Sequence, residues 1–369
     1  MIESFRLDVP QARLDWIARR VADAHIGYAP DDDAGWKYGT DAAYLAALRD
    51  HWQGEYDWPA AQAAFNAVPQ FSAEIEGIAV RFYHLRSAAG GRGYPLILTH
   101  GWPGSVYEFL EAMPLLAARG FDVVVPSLPG YGFSGRPKRP VPAHQIARMW
   151  HTLMTDGLGY SRFGAQGGDW GATVTTALAE HYPGAVDAFH LNFLSHRGGG
   201  DLDAEEAGWL AAARRRNAAN GAYAQQMATR PQTIGLALAD SPLGFASWVL
   251  EKYRAWSDCG GDLEASFTKD QLITQIMTYL VSDTVQSAMW LYNSLGPPAK
   301  HSDPIAVPMG FAQFPGETLP PPRSLAERRF NVVHWATMPR GGHFAAWEEP
   351  ELFAGEVAGF FDRFCGGSA

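Results

Sequence analysis

Residues 163–176 read FGAQGGDWGATVTT: a short apolar run, two glycines, an aspartate at the apex of a turn, and a helical pattern directly behind it. Few features constrain a chain more. A strand that feeds a helix without a spacer has to turn sharply, and Gly167 and Gly171 let the backbone do so without side-chain clashes. The apex residue, Asp169, is then thrust out of the sheet. Taken alone, the motif leaves a plainer reading open, in which Asp169 only caps the following helix. The rest of the chain decides between the two.

Strand and helix patterns alternate around this turn. PLILTH (from Pro95), FDVVVPSLPGYG (from Phe121), RFGAQGGD and AVDAFHLNF (from Ala185) read as buried strands. Between them lie helical spacings at Tyr107, Leu110, Met113 and Leu116, and in WGATVTTALAEHYP, which Pro183 closes. Such alternation implies a parallel sheet covered on both faces. After about Ser195 it stops. Gly198 to Gly200 form a loop, and about a hundred residues of helical pattern follow, including LITQIMTYLVSDTVQSAMWLYNSL. Strand texture returns in PIAVPMGF and NVVHWATMP, and the chain closes on the helical PELFAGEVAGFFDRF. Three helices are predicted ahead of the sheet. The first carries Leu14, Ile17, Val21 and Ala24, with Asp8 and Pro10 as its cap and first-turn proline; the others run over Asp41–Trp52 and Trp58–Phe65. A hairpin turning at Glu76-Gly77 comes next. The expected division is a helical extension at 1–75, a first core segment at 76–195, a helical lid at 196–300 and a second core segment at 301–369.

Composition narrows the function classes. Apolar residues are 47% of the 369 and aromatics 13%, ample for a large core. A formal net charge of -10 repels phosphate backbones, so nucleic acid is not expected as a partner. Cys259 and Cys365 are too few for a disulfide framework. The opening MIESFRLDVPQ lacks the apolar stretch of a signal peptide, and no run approaches the roughly 20 apolar residues that span a bilayer. The expectation is a cytoplasmic protein without a membrane anchor.

If Asp169 is a nucleophile, a base and an orienting acid should follow it in the order nucleophile, acid, histidine. RGGHF places His343 between the last predicted strand and the last helix; His334, inside that strand, reads as structural. FPGE places Glu317 in the loop after PIAVPMGF, where a carboxylate can reach the distal ring nitrogen of the histidine and fix its tautomer. Asp201, Asp203 and Asp303 are the competitors for that role. HGWPGS, from His100 to Ser105, is a tight turn after a strand that can aim the Trp102 N–H into the site, with the Trp170 N–H as a second donor. His100 itself is expected to hold the turn.

An aspartate nucleophile points away from amides and esters, because a carboxylate is a better leaving group than what it would displace. It can attack a saturated carbon when the leaving group is good or a ring is strained, giving an alkyl ester that water then opens. That describes epoxides and alkyl halides. The two tryptophans could cradle a halide; an epoxide oxygen needs phenolic donors, which the helical insert supplies among Tyr223, Tyr253, Tyr279 and Tyr292.

With HGWPGS, LPGYGFS, QGGDWG, DSPLGFASWVLEKY, FPGE and RGGHFAAWEEPE all present, and with DWPAAQAAFNAVPQFSAEIEGIAVRFYHLRS ahead of them, the chain resembles the microsomal-type epoxide hydrolases over nearly its whole length. The resemblance implies an α/β-hydrolase fold: a mostly parallel sheet flanked by helices, with an inserted helical lid and an N-terminal extension. It implies Asp169 as nucleophile, Glu317 and His343 as the charge-relay pair, and two lid tyrosines as donors to the epoxide oxygen. AYAQQMATRP matches one at Tyr223; SAMWLYNSLG matches the other at Tyr292, with Tyr279 as the fallback. It implies no cofactor and no metal, and leaves a homodimer open. The expected substrate is a hydrophobic epoxide. A haloalkane dehalogenase and a non-catalytic ligand-binding protein on the same fold are the alternatives.

Overall fold

The computed structural model describes residues 1–32, 35–88, 92–194, 201–294 and 304–365. Asp303 and the Gly198–Gly200 loop lie outside them. Nine strands form one sheet among the described residues: β1 (Ile2–Phe5), β2 (Gln70–Ile75), β3 (Ile78–Leu85), β4 (Tyr94–Thr99), β5 (Phe121–Pro126), β6 (Phe163–Gly167), β7 (Val186–Leu191), β8 (Ile305–Gln313) and β9 (Phe330–Thr337). Their order is β1-β2-β3-β5-β4-β6-β7-β8-β9. From β5 to β9 every neighbouring pair is parallel; β1/β2, β2/β3 and β3/β5 are antiparallel. Every residue of β4, β5 and β6 is buried, which is why these strands read as unbroken apolar runs. The alternation seen at the edge strand β9 marks one solvated face.

This order positions the site. The chain leaves β4 toward β5 on one side and returns to β6 on the other, so the loops after β4 and β6 splay apart at their carboxyl ends. In open α/β sheets that switch point is where ligands bind. HGWPGS follows β4 and the Asp169 turn follows β6.

The Glu76-Gly77 hairpin is as expected. Ile75 faces Ile78, and both turn residues have positive φ, 52° and 76°, the geometry of the tight turn that suits twisted strands. The N-terminus departs from the sequence reading in two ways. Ile2–Phe5 is an edge strand paired with β2, too short and too polar at Glu3 and Ser4 to be read as one. The first helix spans Gln11–Ala22, and Pro10 occupies the position before it with no side-chain cap, so Asp8 does not cap it. A helix at Ala143–Thr152, continued by a wider turn at Leu153–Gly157, was also not expected. The other early helices start where an aspartate side chain accepts a backbone N–H: Asp41 from Tyr44, and Asp57 from Ala60.

Among the described residues, six α-helices lie in the insert: Ala204–Asn220, Ala222–Thr229, Pro231–Asp240, Pro242–Trp256, Lys269–Val281 and Val285–Asn293. Residues Leu272 to Leu280 are all buried, so the helix Lys269–Val281 is the lid's core. The N-terminal helix packs on it and on Pro242–Trp256. Arg13 ties them together: its Nε and Nη2 donate to the Leu280 carbonyl at 2.9 and 2.5 Å, in the last turn of that helix, where a positive charge is favoured. No single helix among the described residues is long and apolar enough to cross a membrane. Arg13→Ala should lower stability by about 1–3 kcal/mol, the loss expected for hydrogen bonds from a charged donor. An unchanged urea midpoint would show that the extension and the lid are not coupled there.

Candidate active site

Asp169 sits at φ 49°, in the left-handed region that non-glycine residues rarely adopt. The turn is made by close approaches that only glycine permits. A Cβ on Gly171 would lie 1.9 Å from the Thr99 carbonyl oxygen, and one on Gly101 would lie 2.2 Å from Asp169 Oδ1. The helix Asp169–His181 is preceded by Gly168 and has no side-chain cap, so Asp169 is not spent as one. Instead its Oδ1 accepts the Trp102 N–H at 2.8 Å. The Trp170 N–H, in the first turn of the helix, has no carbonyl four residues back to bond. The plain-cap reading of QGGDWGA is therefore excluded.

The histidine reaches Asp169 from the other end of the chain. Gly341 N–H donates to Asp258 Oδ2 at 2.9 Å and His343 N–H to the Trp256 carbonyl at 2.8 Å, which docks RGGHF on the end of a lid helix. His343 Nδ1 lies 2.8 and 3.0 Å from the two oxygens of Glu317, and its Nε2 lies 3.3 Å from Asp169 Oδ2. Glu317 is oriented in turn by the Thr318 N–H. Both side chains are buried. Burial works against a charged imidazole, but Glu317 first and then Asp169 outweigh it, so the His343 pKa is raised well above the ordinary histidine value.

Four aromatic rings close the other side. Tyr223 stacks on Trp102, with centroids 5.4 Å apart and planes 13° apart. Tyr292 meets Trp102 edge-on at 5.8 Å, Trp170 at 5.0 Å and Tyr223 at 6.0 Å. Burial raises the pKa of both phenols, so they stay protonated and able to donate. Tyr279 is used otherwise: its hydroxyl donates to the Gly104 carbonyl. Tyr253 donates to the Pro103 carbonyl at 2.9 Å and Gln275 to the same oxygen at 3.0 Å. Three lid residues thus hold HGWPGS by its backbone, across a cis Trp102-Pro103 peptide bond. Nothing in the sequence pattern marked that role, because the partners are main-chain atoms about 150 or more residues away.

The remaining candidates fall outside the site. Asp203 caps the helix Ala204–Asn220 in a capping box with Glu206. His334 pairs with Glu356 at 2.6 Å. His100 is fully enclosed: Nδ1 lies 3.0 Å from the Gly101 carbonyl and Nε2 accepts the Leu128 N–H at 3.1 Å. Burial lowers its pKa to about 4, so it is a neutral brace for the turn.

Comparison with known proteins identifies the family. Residues 2–109 match the family described as Epoxide hydrolase N terminus, and residues 94–228 the alpha/beta hydrolase fold. A putative epoxide hydrolase of Stigmatella aurantiaca is 38% identical, over 96% of this chain and 84% of that protein. Epoxide hydrolase 1 of Sus scrofa is 32% identical, over 97% and 88%. The solved structure of Aspergillus niger epoxide hydrolase superposes with a TM-score of 0.89 at 30% identity, covering 98% of this chain and 96% of that one. With an elbow aspartate, a histidine backed by a glutamate, and relatives aligned along nearly its full length, the chain belongs to the microsomal-type epoxide hydrolases, ether-bond hydrolases of the α/β-hydrolase fold.

Proposed function

We propose that this chain converts a hydrophobic epoxide to a vicinal diol in two steps, through an ester at Asp169. The observation that carries the reading is that Asp169 meets the Trp102 N–H at 2.8 Å and His343 at 3.3 Å, with Tyr223 and Tyr292 packed on the flanking Trp102 and Trp170 rings. With Oδ1 held by Trp102, Oδ2 is the free nucleophile. It attacks a ring carbon from behind, and the C–O bond of the strained ring breaks. The departing oxygen takes its proton from Tyr223 or Tyr292, and the phenolate is restored by the proton that His343 gives up once Asp169 is esterified.

In the second step water adds to Cγ of the ester. Charge builds on Oδ1, where the N–H groups of Trp102 and Trp170 meet it. One water proton passes to His343 Nε2 and the other to Oδ2 as the Cγ–Oδ2 bond breaks, so the diol leaves carrying Oδ2 and Asp169 returns as a carboxylate. The electrostatics suit this order. The Asp169 charge is one of the interactions that raise the His343 pKa. Esterification removes that charge, so His343 becomes a usable base only once there is an ester to open. Glu317 keeps Nδ1 as the donor, which leaves Nε2 as the acceptor once the ester has formed. The aromatic walls formed by Trp102, Trp170, Trp256 and the two phenols suit an apolar substituent on the epoxide.

One observation favours the haloalkane reading: the buried Trp102 Nε1 has no hydrogen-bond partner among the described residues. Paired phenols have no use in halide release, so the epoxide reading is preferred. A haloalkane panel showing halide release, with epoxides inert, would reverse that preference.

His343→Gln, mixed with styrene oxide and examined by intact-protein mass spectrometry, should accumulate enzyme heavier by one substrate. Asp169→Asn should show no adduct. An absence of adduct in His343→Gln would contradict the covalent route. Tyr223→Phe combined with Tyr292→Phe should slow ester formation by about 100-fold or more, the range for lost acid catalysis. Ester formation at the wild-type rate would remove both tyrosines from the chemistry.

A further inference from the structure

One buried carboxyl beside the nucleophile has no part in the steps above. Glu108 belongs to the short turn Val106–Phe109, where its Oε1 accepts the Ser105 N–H at 2.9 Å in a capping box. Capping a turn does not require burial, yet Glu108 is only 9% exposed. Its carboxyl fills the space above Gly104, where a Cβ would lie 1.5 Å from Oε1. A cavity of about 20 Å³ is bordered by Glu108, Asp169, His343, Trp102, Gly104 and Phe109. That is room for one water molecule, which needs roughly 10–15 Å³ and two or more polar partners.

Neither Tyr223 nor Tyr292 borders this cavity. It therefore lies apart from the phenols that would take the epoxide oxygen. His343 Nε2 is buried and, although 3.3 Å from Asp169 Oδ2, has no hydrogen-bond partner among the described residues. Burial pushes the Glu108 carboxyl up to about 8, with His343 pulling the other way and Asp169 adding to the rise, so Glu108 senses both partners.

We infer that Glu108 is a positioning residue for the hydrolytic water, holding it in this cavity against His343 Nε2 and in line with Cγ of the Asp169 ester. The inference rests on the two-step reading. The water directs one O–H to a Glu108 carboxyl oxygen and the other to Nε2, which leaves a lone pair facing Cγ. The O–Cγ bond forms as one water proton passes to Nε2, and the Cγ–Oδ2 bond breaks as the other passes to Oδ2, which releases the diol and restores the Asp169 carboxylate. Without Glu108 the base remains and the aim is lost, so the second step alone slows.

Glu108→Gln tests this on the full-length enzyme, because the amide oxygen can keep the Ser105 N–H while an amide N–H replaces the second carboxyl oxygen. With styrene oxide as the probe, rapid quench and intact-protein mass spectrometry separate ester formation from ester hydrolysis. Formation should stay within about twofold of wild type while hydrolysis slows about tenfold or more, the scale of a lost positioning contact. Glu108→Ala, checked for an unchanged thermal transition, should show the same ester accumulation, partly reversed by added formate. Hydrolysis at the wild-type rate in the Gln variant, or equal slowing of both steps, overturns the assignment. Absence of any ester in His343→Gln would instead overturn the two-step reading beneath it.

Discussion

The Trp102 N–H donates to Asp169 Oδ1 at 2.8 Å, and this contact joins the ends of two parallel strands. Everything else in the site is arranged around it. It requires the loop after β4 and the turn after β6 to come so close that side chains on Gly101 and Gly171 would collide with Asp169 and with the Thr99 carbonyl. It requires Asp169 to accept a left-handed backbone at φ 49°. In return, a carboxylate is held with one oxygen fixed by a backbone donor and the other open. The lid completes the arrangement from above, with Tyr253, Gln275 and Tyr279 pinning the carbonyls of Pro103 and Gly104. The insert is thus part of the support for the loop after β4 as well as the source of the phenols.

Charge sets the order of events at this point. His343 lies between two carboxylates, Glu317 at 2.8 Å and Asp169 at 3.3 Å, in a largely buried setting where solvent screening is weak. Their combined pull opposes the cost of burying an imidazolium. Converting Asp169 to an ester removes one of the two. On the proposed two-step route, a single covalent change would both create the bond to be hydrolysed and free the base that hydrolyses it.

Much of this was legible in the residues. An elbow flanked by glycines, a histidine after paired glycines and a glutamate in a loop after a strand are local patterns with local causes, and the structure brings Asp169, His343 and Glu317 together. What was missed depends on contacts distant in the chain. Ile2–Phe5 becomes a strand only because β2 offers an edge to pair with. Tyr279 stood as the fallback for Tyr292, and it is the position of the Gly104 carbonyl that marks the Tyr279 hydroxyl as a brace for a loop, while the Tyr292 ring meets Trp170. Glu108 is recognisable in sequence as half of a capping box; that it borders the same cavity as Asp169 and His343 follows from the fold of the whole chain.

The central claim is that Asp169 supplies an oxygen atom to the product. A single turnover in water enriched in oxygen-18, with enzyme in excess over epoxide, tests it most directly. The account predicts a diol whose new oxygen is unlabelled and an Asp169 side chain that carries the label. A labelled diol after one turnover, with an unlabelled aspartate, would mean that water attacks the epoxide itself and would contradict the account.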